Sequence, residues 1–205
     1  MPAPTEPARH GPIDGGRTAL LVIDVQRGVL GPDSAAARPT FHTAAREVVP
    51  NIRRLADAVR AAGREVVYTV IESLTRDGRD RSLDYKQTGY HFPPGSDDAR
   101  VIDEVAPGPD DIVLPKTSSS PFNSTVLAYV LRNMGIDTVI AVGFLTDQCV
   151  DHTVRDGADL GFRMICVDDA CATDTDERHQ AALVAFAGYC RRTTTAALVA
   201  ELAGA

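Results

Sequence analysis

The sequence predicts a three-layer α/β fold, with helices on both faces of a six-stranded, mostly parallel sheet ordered 3-2-1-4-5-6, a Rossmann-like arrangement. Three observations lead there. "TALLVIDV" (18–25) is a continuous apolar run bounded by turn residues, which suits a central parallel strand buried on both faces. "PNIRRLADAVRAAG" (50–63) then changes period, placing Ile52, Leu55, Ala56, Val59 and Ala62 on one helical face with Gly63 as the stop. This strand-then-helix unit recurs to the end of the chain, and such alternation implies right-handed crossovers and a covered parallel sheet.

Residues 1–16 carry four prolines and three glycines without periodicity, and read as a mobile N-terminal arm before a single domain over 17–205. Apolar runs at 65–70, 111–114, 138–142 and 163–167, and a short run at 191–195, supply the other strands. Helical spacing falls near 97–106, 123–134, 147–160 and 175–187, with a last helix at the end of the chain. The stretch "IESLTRDGRDRSLDYKQTGYHFPPGS" (71–96) is a long polar connection, and connections of that length often serve as functional lids.

At 205 residues the chain can bury roughly 70% of its unfolded surface in one core. Its net charge is −7, and arginines are scattered among acids rather than gathered in a stripe, which argues against a nucleic-acid partner. No apolar run approaches the ~20 residues of a membrane span, and "MPAPTEPARHGPIDGG" lacks the basic start and apolar centre of a signal peptide. A cytoplasmic protein without a membrane partner is expected. Its thiols would then stay reduced, so Cys149, Cys166, Cys171 and Cys190 are not expected to pair. There is no C-x-x-C, and the five histidines are far apart, so no metal site is expected. The first strand is followed by "DVQRGVLGP" rather than a dinucleotide fingerprint, and no phosphate-binding G-x-x-x-x-G-K-[ST] occurs, so no cofactor is expected either.

In such a sheet, ligands bind beyond the carboxyl ends of the strands where strand order reverses, here between the first and fourth strands. Three residues with chemistry fall at strand ends. Asp24 sits inside "LLVIDVQ", where an isolated carboxylate is heavily penalised and needs a partner. Lys116, in "VLPKTSSS", is one of only two lysines and has the matching charge. Cys149 follows the fourth strand in the first turn of a predicted helix, with Thr146 or Asp147 as N-cap. That position lowers a thiol pKa and offers free backbone N–H groups. Cys166 lies within a predicted strand, Cys190 lies near the start of one and Cys171 lies in a loop among acids, which marks those three as structural. On these grounds Cys149 is either packing or a nucleophile.

Asp24 in "LLVIDVQ", Lys116 in "VLPKTSSSPFNST" and Cys149 in "GFLTDQCVDHTVRDGADLGF", followed by "VDDACAT", resemble the isochorismatase-like cysteine hydrolase superfamily over roughly residues 17–195. The resemblance implies a catalytic triad of Asp24, Lys116 and Cys149. It also implies a cis peptide at Phe144–Leu145 and an oxyanion hole made by the backbone N–H groups of Leu145 and Cys149. It implies a homo-oligomer, dimer or tetramer, and a small-molecule amide or ureido substrate. Nicotinamidases of this superfamily carry a metal-binding D-x-H-x-x-H set after the second strand, and "IESLTRDGRDRS" has no histidine there. Vinyl-ether-cleaving isochorismatases lack the cysteine that this chain keeps, so amide hydrolysis is favoured. Gln26, Glu72, Ser118, Ser119 and Asn123 are candidates to hydrogen-bond a ureido or carboxamide group, with a solvated loop and a helix cap near Asn123 as the alternative. Two other functions remain open: an isochorismatase-type hydrolase, separable by pyruvate rather than ammonia release, and a silent binding or scaffold protein, against which the intact triad argues.

Overall fold

The computed structural model describes residues 10–13 and 15–204. The central strand β1 (Thr18–Ile23) lies between β2 (Glu65–Ile71) and β4 (Thr138–Phe144). Beyond β2 lies β3 (Ile112–Lys116), and beyond β4 lie β5 (Arg163–Ala172) and β6 (Cys190–Thr193). Every pairing is parallel, and the order is β3-β2-β1-β4-β5-β6, as the strand–helix alternation predicted.

Side chains of β1 alternate between two cores. Leu20 and Val22 join one face, which is covered by the long helix α3 (Pro39–Ala61) and by the C-terminal helix α9 (Thr195–Ala203). Ala19, Leu21 and Ile23 join the other, covered by α6 (Leu127–Asn133), α7 (Asp151–Asp159) and α8 (Asp176–Ala185). The crossover from β1 to β2 contains α1 (Arg27–Leu30), α2 (Pro32–Ala37) and α3 (Pro39–Ala61), and that from β2 to β3 contains α4 (Leu83–Thr88). Next come α5 (Pro121–Ser124) and α6 (Leu127–Asn133), then α7 (Asp151–Asp159), α8 (Asp176–Ala185) and α9 (Thr195–Ala203). Among the described residues no helix is long and apolar enough to cross a membrane.

Several elements depart from the sequence expectation for physical reasons. The helix expected from residue 50 begins at Pro39, and Pro50 lies inside it. Pro50 is exposed, so the carbonyl that loses its partner can face water while Phe41, Ala45, Val48, Ile52, Leu55 and Val59 keep one buried stripe. The helix expected over 97–106 is two single turns of tighter helix, Asp97–Ala99 and Asp103–Val105, separated by a bridge between Val101 and Gln26. The helix expected over 123–134 is broken at Thr125 and Val126, where the Thr125 hydroxyl bonds the Pro121 carbonyl and accepts from Leu127 N–H. Of the expected N-terminal arm, residues 1–9 and Asp14 lie outside the described residues. Ile13 is buried and donates its N–H to Glu201 Oε1 at 2.9 Å, and the Pro12 carbonyl accepts from Arg163 at 2.7 Å.

Candidate active site

Asp24 ends β1 in a left-handed conformation (φ 57°), which Asp tolerates better than most residues and which halts the strand. Its N–H still reaches Thr69 O on β2 at 3.0 Å. One carboxyl oxygen, Oδ1, accepts from the Thr69 hydroxyl at 3.2 Å, and the other, Oδ2, stands 2.9 Å from Lys116 Nζ. Lys116 is the last residue of the edge strand β3. The ladder brings it level with the last residue of β2, Ile71, its register partner, so its four-carbon stem spans β2 toward Asp24. Both side chains are buried.

The third group comes from the turn after β4. Gly143 pairs with Ile23 at φ 117°, and a Cβ there would meet the Ile23 carbonyl oxygen at 2.1 Å, so only glycine lets β4 run this close to β1 beside Asp24. The Phe144–Leu145 peptide is cis. Thr146–Val150 then forms one wide π-helical turn before α7, and Cys149 lies in that turn. Wide turns of this kind recur at functional sites. Thr146 and Asp147 anchor it from behind. The Thr146 hydroxyl meets His179 Nδ1 at 2.8 Å, and Asp147 pairs with Arg178 and accepts from the Thr173 hydroxyl.

Lys116 Nζ donates to Cys149 Sγ at 3.4 Å, to the Ser118 carbonyl at 3.0 Å and to the Tyr85 hydroxyl at 2.6 Å. Asp24 and Cys149 border one narrow cavity, walled by Ile71, Tyr90, Phe144 and Gln148. A larger cavity of about 560 Å³ lies between α3 and the second half of β5, but none of Asp24, Lys116 and Cys149 lines it. Burial raises the Asp24 carboxyl above its ordinary value, against the pull of the Lys116 ammonium. Burial also works against the Lys116 ammonium, but the facing Asp24 and Cys149 hold its pKa above the usual lysine value. The Cys149 thiol is pushed up to about 11, chiefly by burial, and Lys116 only partly offsets this. The expectation of a thiol acidified by a helix start is not met: the turn is π-helical and Cys149 is buried, and burial favours the neutral thiol.

The structure thus brings Asp24, Lys116 and Cys149 together, with the Leu145 and Cys149 backbone beside them. The other candidates fare differently. Gln26 is fully buried, and its amide is spent on the Ile71 N–H and the Ile71 and Asp98 carbonyls, a clamp between loops. Glu72 accepts from Gly95 N–H at 2.6 Å and so closes the long connection on itself. Ser118 contributes its carbonyl to Lys116 while its hydroxyl bonds the Ser120 carbonyl, and half-buried Ser119 follows in the same turn. Asn123 does not join the site, because its amide donates to Asp156 on α7 at 2.8 Å. Sequence reasoning missed Tyr85, which α4 places against Lys116 and Cys149. The available signal was Ser82, an N-cap three residues before an aromatic in an otherwise polar stretch.

Six parallel strands with a buried Asp–Lys pair and a cysteine turn at their carboxyl ends define an α/β protein whose charged and thiol groups meet at the switch point, the place where sheets of this kind bind ligands. The chain belongs to the isochorismatase family, whose domain model, described as "Isochorismatase domain", matches residues 18–197, and it is a hydrolase of that family. It is 31% identical over 193 residues to ureidoacrylate amidohydrolase RutB of Rhizobium rhizogenes, covering 81% of this chain and 75% of that one. It is 33% identical over 156 residues to N-carbamoylsarcosine amidase of an Arthrobacter species, covering 74% of this chain and 58% of that one. Among solved structures it is similar to a cysteine hydrolase from Pseudomonas syringae pv. phaseolicola, with TM-score 0.85 and 27% identity over 98% of this chain and 99% of the other. An N-carbamoylsarcosine amidase from Thermoplasma acidophilum superposes with TM-score 0.73 at 30% identity, covering 87% and 96% of the two chains.

Proposed function

We propose that the chain hydrolyses a carbon–nitrogen bond of a small amide or ureido compound through a thioester on Cys149. The observation that carries this reading is the convergence of Cys149 Sγ, Lys116 Nζ and the Asp24 carboxyl beside one cavity. A thiol that burial pushes up to about 11 needs a base, and Asp24 is the carboxylate beside it. Asp24 takes the thiol proton, and the thiolate attacks the carbonyl carbon. The Leu145 and Cys149 N–H groups stabilise the oxyanion. The protonated Asp24 then gives its proton to the departing nitrogen, and ammonia or an amine leaves. Water attacks the thioester with Asp24 again as base, which regenerates the thiol and releases the acid. Lys116 keeps its charge throughout and holds Asp24 in place. The amidohydrolase names of two relatives at about 30% identity support amides as the substrate class.

The test is ammonia or amine release from a panel of primary amides and ureido acids. Cys149→Ser is expected to fold and to lose on the order of 10³-fold or more in rate, as removal of a nucleophile does. Pyruvate release from a vinyl ether with no ammonia from any amide would replace this reading by the isochorismatase one. Among the described residues no three His, Cys, Asp or Glu side chains gather as a metal ion would require. Activity is accordingly expected to survive exhaustive chelation, and a requirement for added zinc or iron would overturn metal independence.

A further inference from the structure

The connection between β2 and β3 delivers to the nucleophile a fourth group, which the steps above leave unused. Tyr85 is 1% exposed and lies on α4, whose N-cap Ser82 accepts from the Tyr85 N–H. The surrounding loop is pinned by its own polar groups. Arg81 donates to the carbonyls of Gly78 and Tyr90, and Asp80 accepts from Leu74 and Thr75 N–H. The Tyr85 hydroxyl oxygen accepts from Lys116 Nζ at 2.6 Å and stands 3.6 Å from Cys149 Sγ. An ammonium has no lone pair, so the phenol cannot donate to Lys116, and its own proton is available to the sulfur.

An ammonium has three protons, but four acceptors surround Lys116 Nζ. Tyr85 OH, Ser118 O and Cys149 Sγ receive hydrogen bonds from it. Asp24 Oδ2 lies 2.9 Å away as the ion-pair partner of the same ammonium, so four acceptors share three protons and Tyr85 competes with the carboxylate for them.

We infer that Tyr85 is a catalytic residue of the proposed hydrolysis: it donates to the Cys149 sulfur and so steadies the thiolate, and by drawing on one Lys116 N–H it weakens that ammonium's hold on the Asp24 carboxylate, which receives the thiol proton. The inference rests on the reading of Cys149 as nucleophile. One proton moves, from Sγ to Oδ2, and Tyr85 keeps its own. The titratable groups that face it are Asp24 from the end of β1, Lys116 from β3, Cys149 from the π-helical turn and Tyr90 from beyond α4. Burial among them raises the phenol pKa far above its ordinary value, so Tyr85 stays a donor at any working pH.

Tyr85→Phe in the full chain separates this role from packing. The freed Lys116 N–H turns to Asp24 Oδ2, which favours the carboxylate and moves the acidic limb of kcat/KM to lower pH. The thiolate loses a donor, so the Cys149 titration, read by ultraviolet thiolate absorbance without turnover, moves up by about one pH unit, as the loss of a hydrogen bond to a charged group predicts. The alkaline limb follows it. The bell therefore widens while its plateau falls about tenfold or more. Limbs and thiol titration that stay in place, whether or not the plateau falls, would overturn the inference. A shifted thiol titration in a protein that turns over no amide would leave the contact standing and remove the hydrolase reading instead. If Tyr85→Phe does not fold, site-specific 3-fluorotyrosine, a stronger donor of nearly the same shape, is expected to move the thiol titration down. An unmoved titration there would equally overturn the inference.

Discussion

Asp24 and Lys116 are both buried, so removing either leaves the other's charge where water cannot reach it. Lys116→Ala is expected to cost on the order of 3–5 kcal/mol, the usual penalty for breaking one side of a buried ion pair. The surviving carboxyl would rise further in pKa, so the acidic limb of any residual activity moves to higher pH, opposite to the direction for Tyr85→Phe. Asp24→Asn removes the charge but keeps hydrogen-bonding capacity, so it should lose catalysis with a smaller loss of stability. Thermal unfolding and pH–rate profiles of both variants decide this. If Lys116→Ala changes neither, the Asp24–Lys116 pair has no part in holding or tuning the base. Asp24, Lys116 and Cys149 stand out in the sequence because each falls at or just after the carboxyl end of a predicted strand, and it is the family resemblance that groups them as a triad. Tyr85 does not stand out, because it lies in the polar connection 71–96 away from any strand end: the Ser82 cap signals a helix there but not what that helix faces, and only the folded loop brings the hydroxyl to Lys116 and Cys149.

At the scale of elements, the sheet was legible and the edges of the helices were not. Strands β1, β2 and β4 are largely apolar and, but for Glu65 at the start of β2, buried along their length because both faces are covered, and that pattern does not depend on the loops. Helix limits depend instead on single backbone groups. Pro50 reads as a start, yet on an exposed face it costs the helix one hydrogen bond without a buried orphan. The π-helical turn that carries Cys149 has no sequence signature, so it was read as the first turn of an ordinary helix. Gly143 tests the element packing that holds this turn. Gly143→Ala places a methyl on the Ile23 carbonyl at a φ hostile to L-residues, and is expected to destabilise by on the order of 3 kcal/mol and to abolish activity. An unchanged denaturation midpoint would show that β1 and β4 can separate at the site without loss.

Across the whole molecule, the carboxyl groups divide by their surroundings, and this division separates loss of activity from loss of fold as pH falls. Asp24 is held above its ordinary value of 3.8 by burial, so acidification protonates it early. Protonating a group whose folded pKa is raised does not destabilise the fold, because the buried neutral form is the favoured one. The rim and surface behave in the opposite sense. Hydrogen bonds from Arg191 and the Ile13 N–H hold Glu201 below its usual 4.5, and hydrogen bonds from Arg27 hold Asp97 below 3.8. Stability from such depressed groups is complete above their unfolded values and is lost only as pH falls through the lower folded ones. Glu201 also ties α9 to Ile13 and to β6, so its protonation loosens the N-terminal segment at the sheet edge. If the proposed hydrolysis uses Asp24 as base, activity is expected to fail reversibly at a pH where far-UV circular dichroism is still native, with unfolding following at lower pH. Glu201→Gln should move the unfolding step to higher pH and leave the activity limb in place. If activity and ellipticity instead fall together in the parent protein, Asp24 is not the raised carboxyl that the buried site demands, and the base in this mechanism must be sought elsewhere.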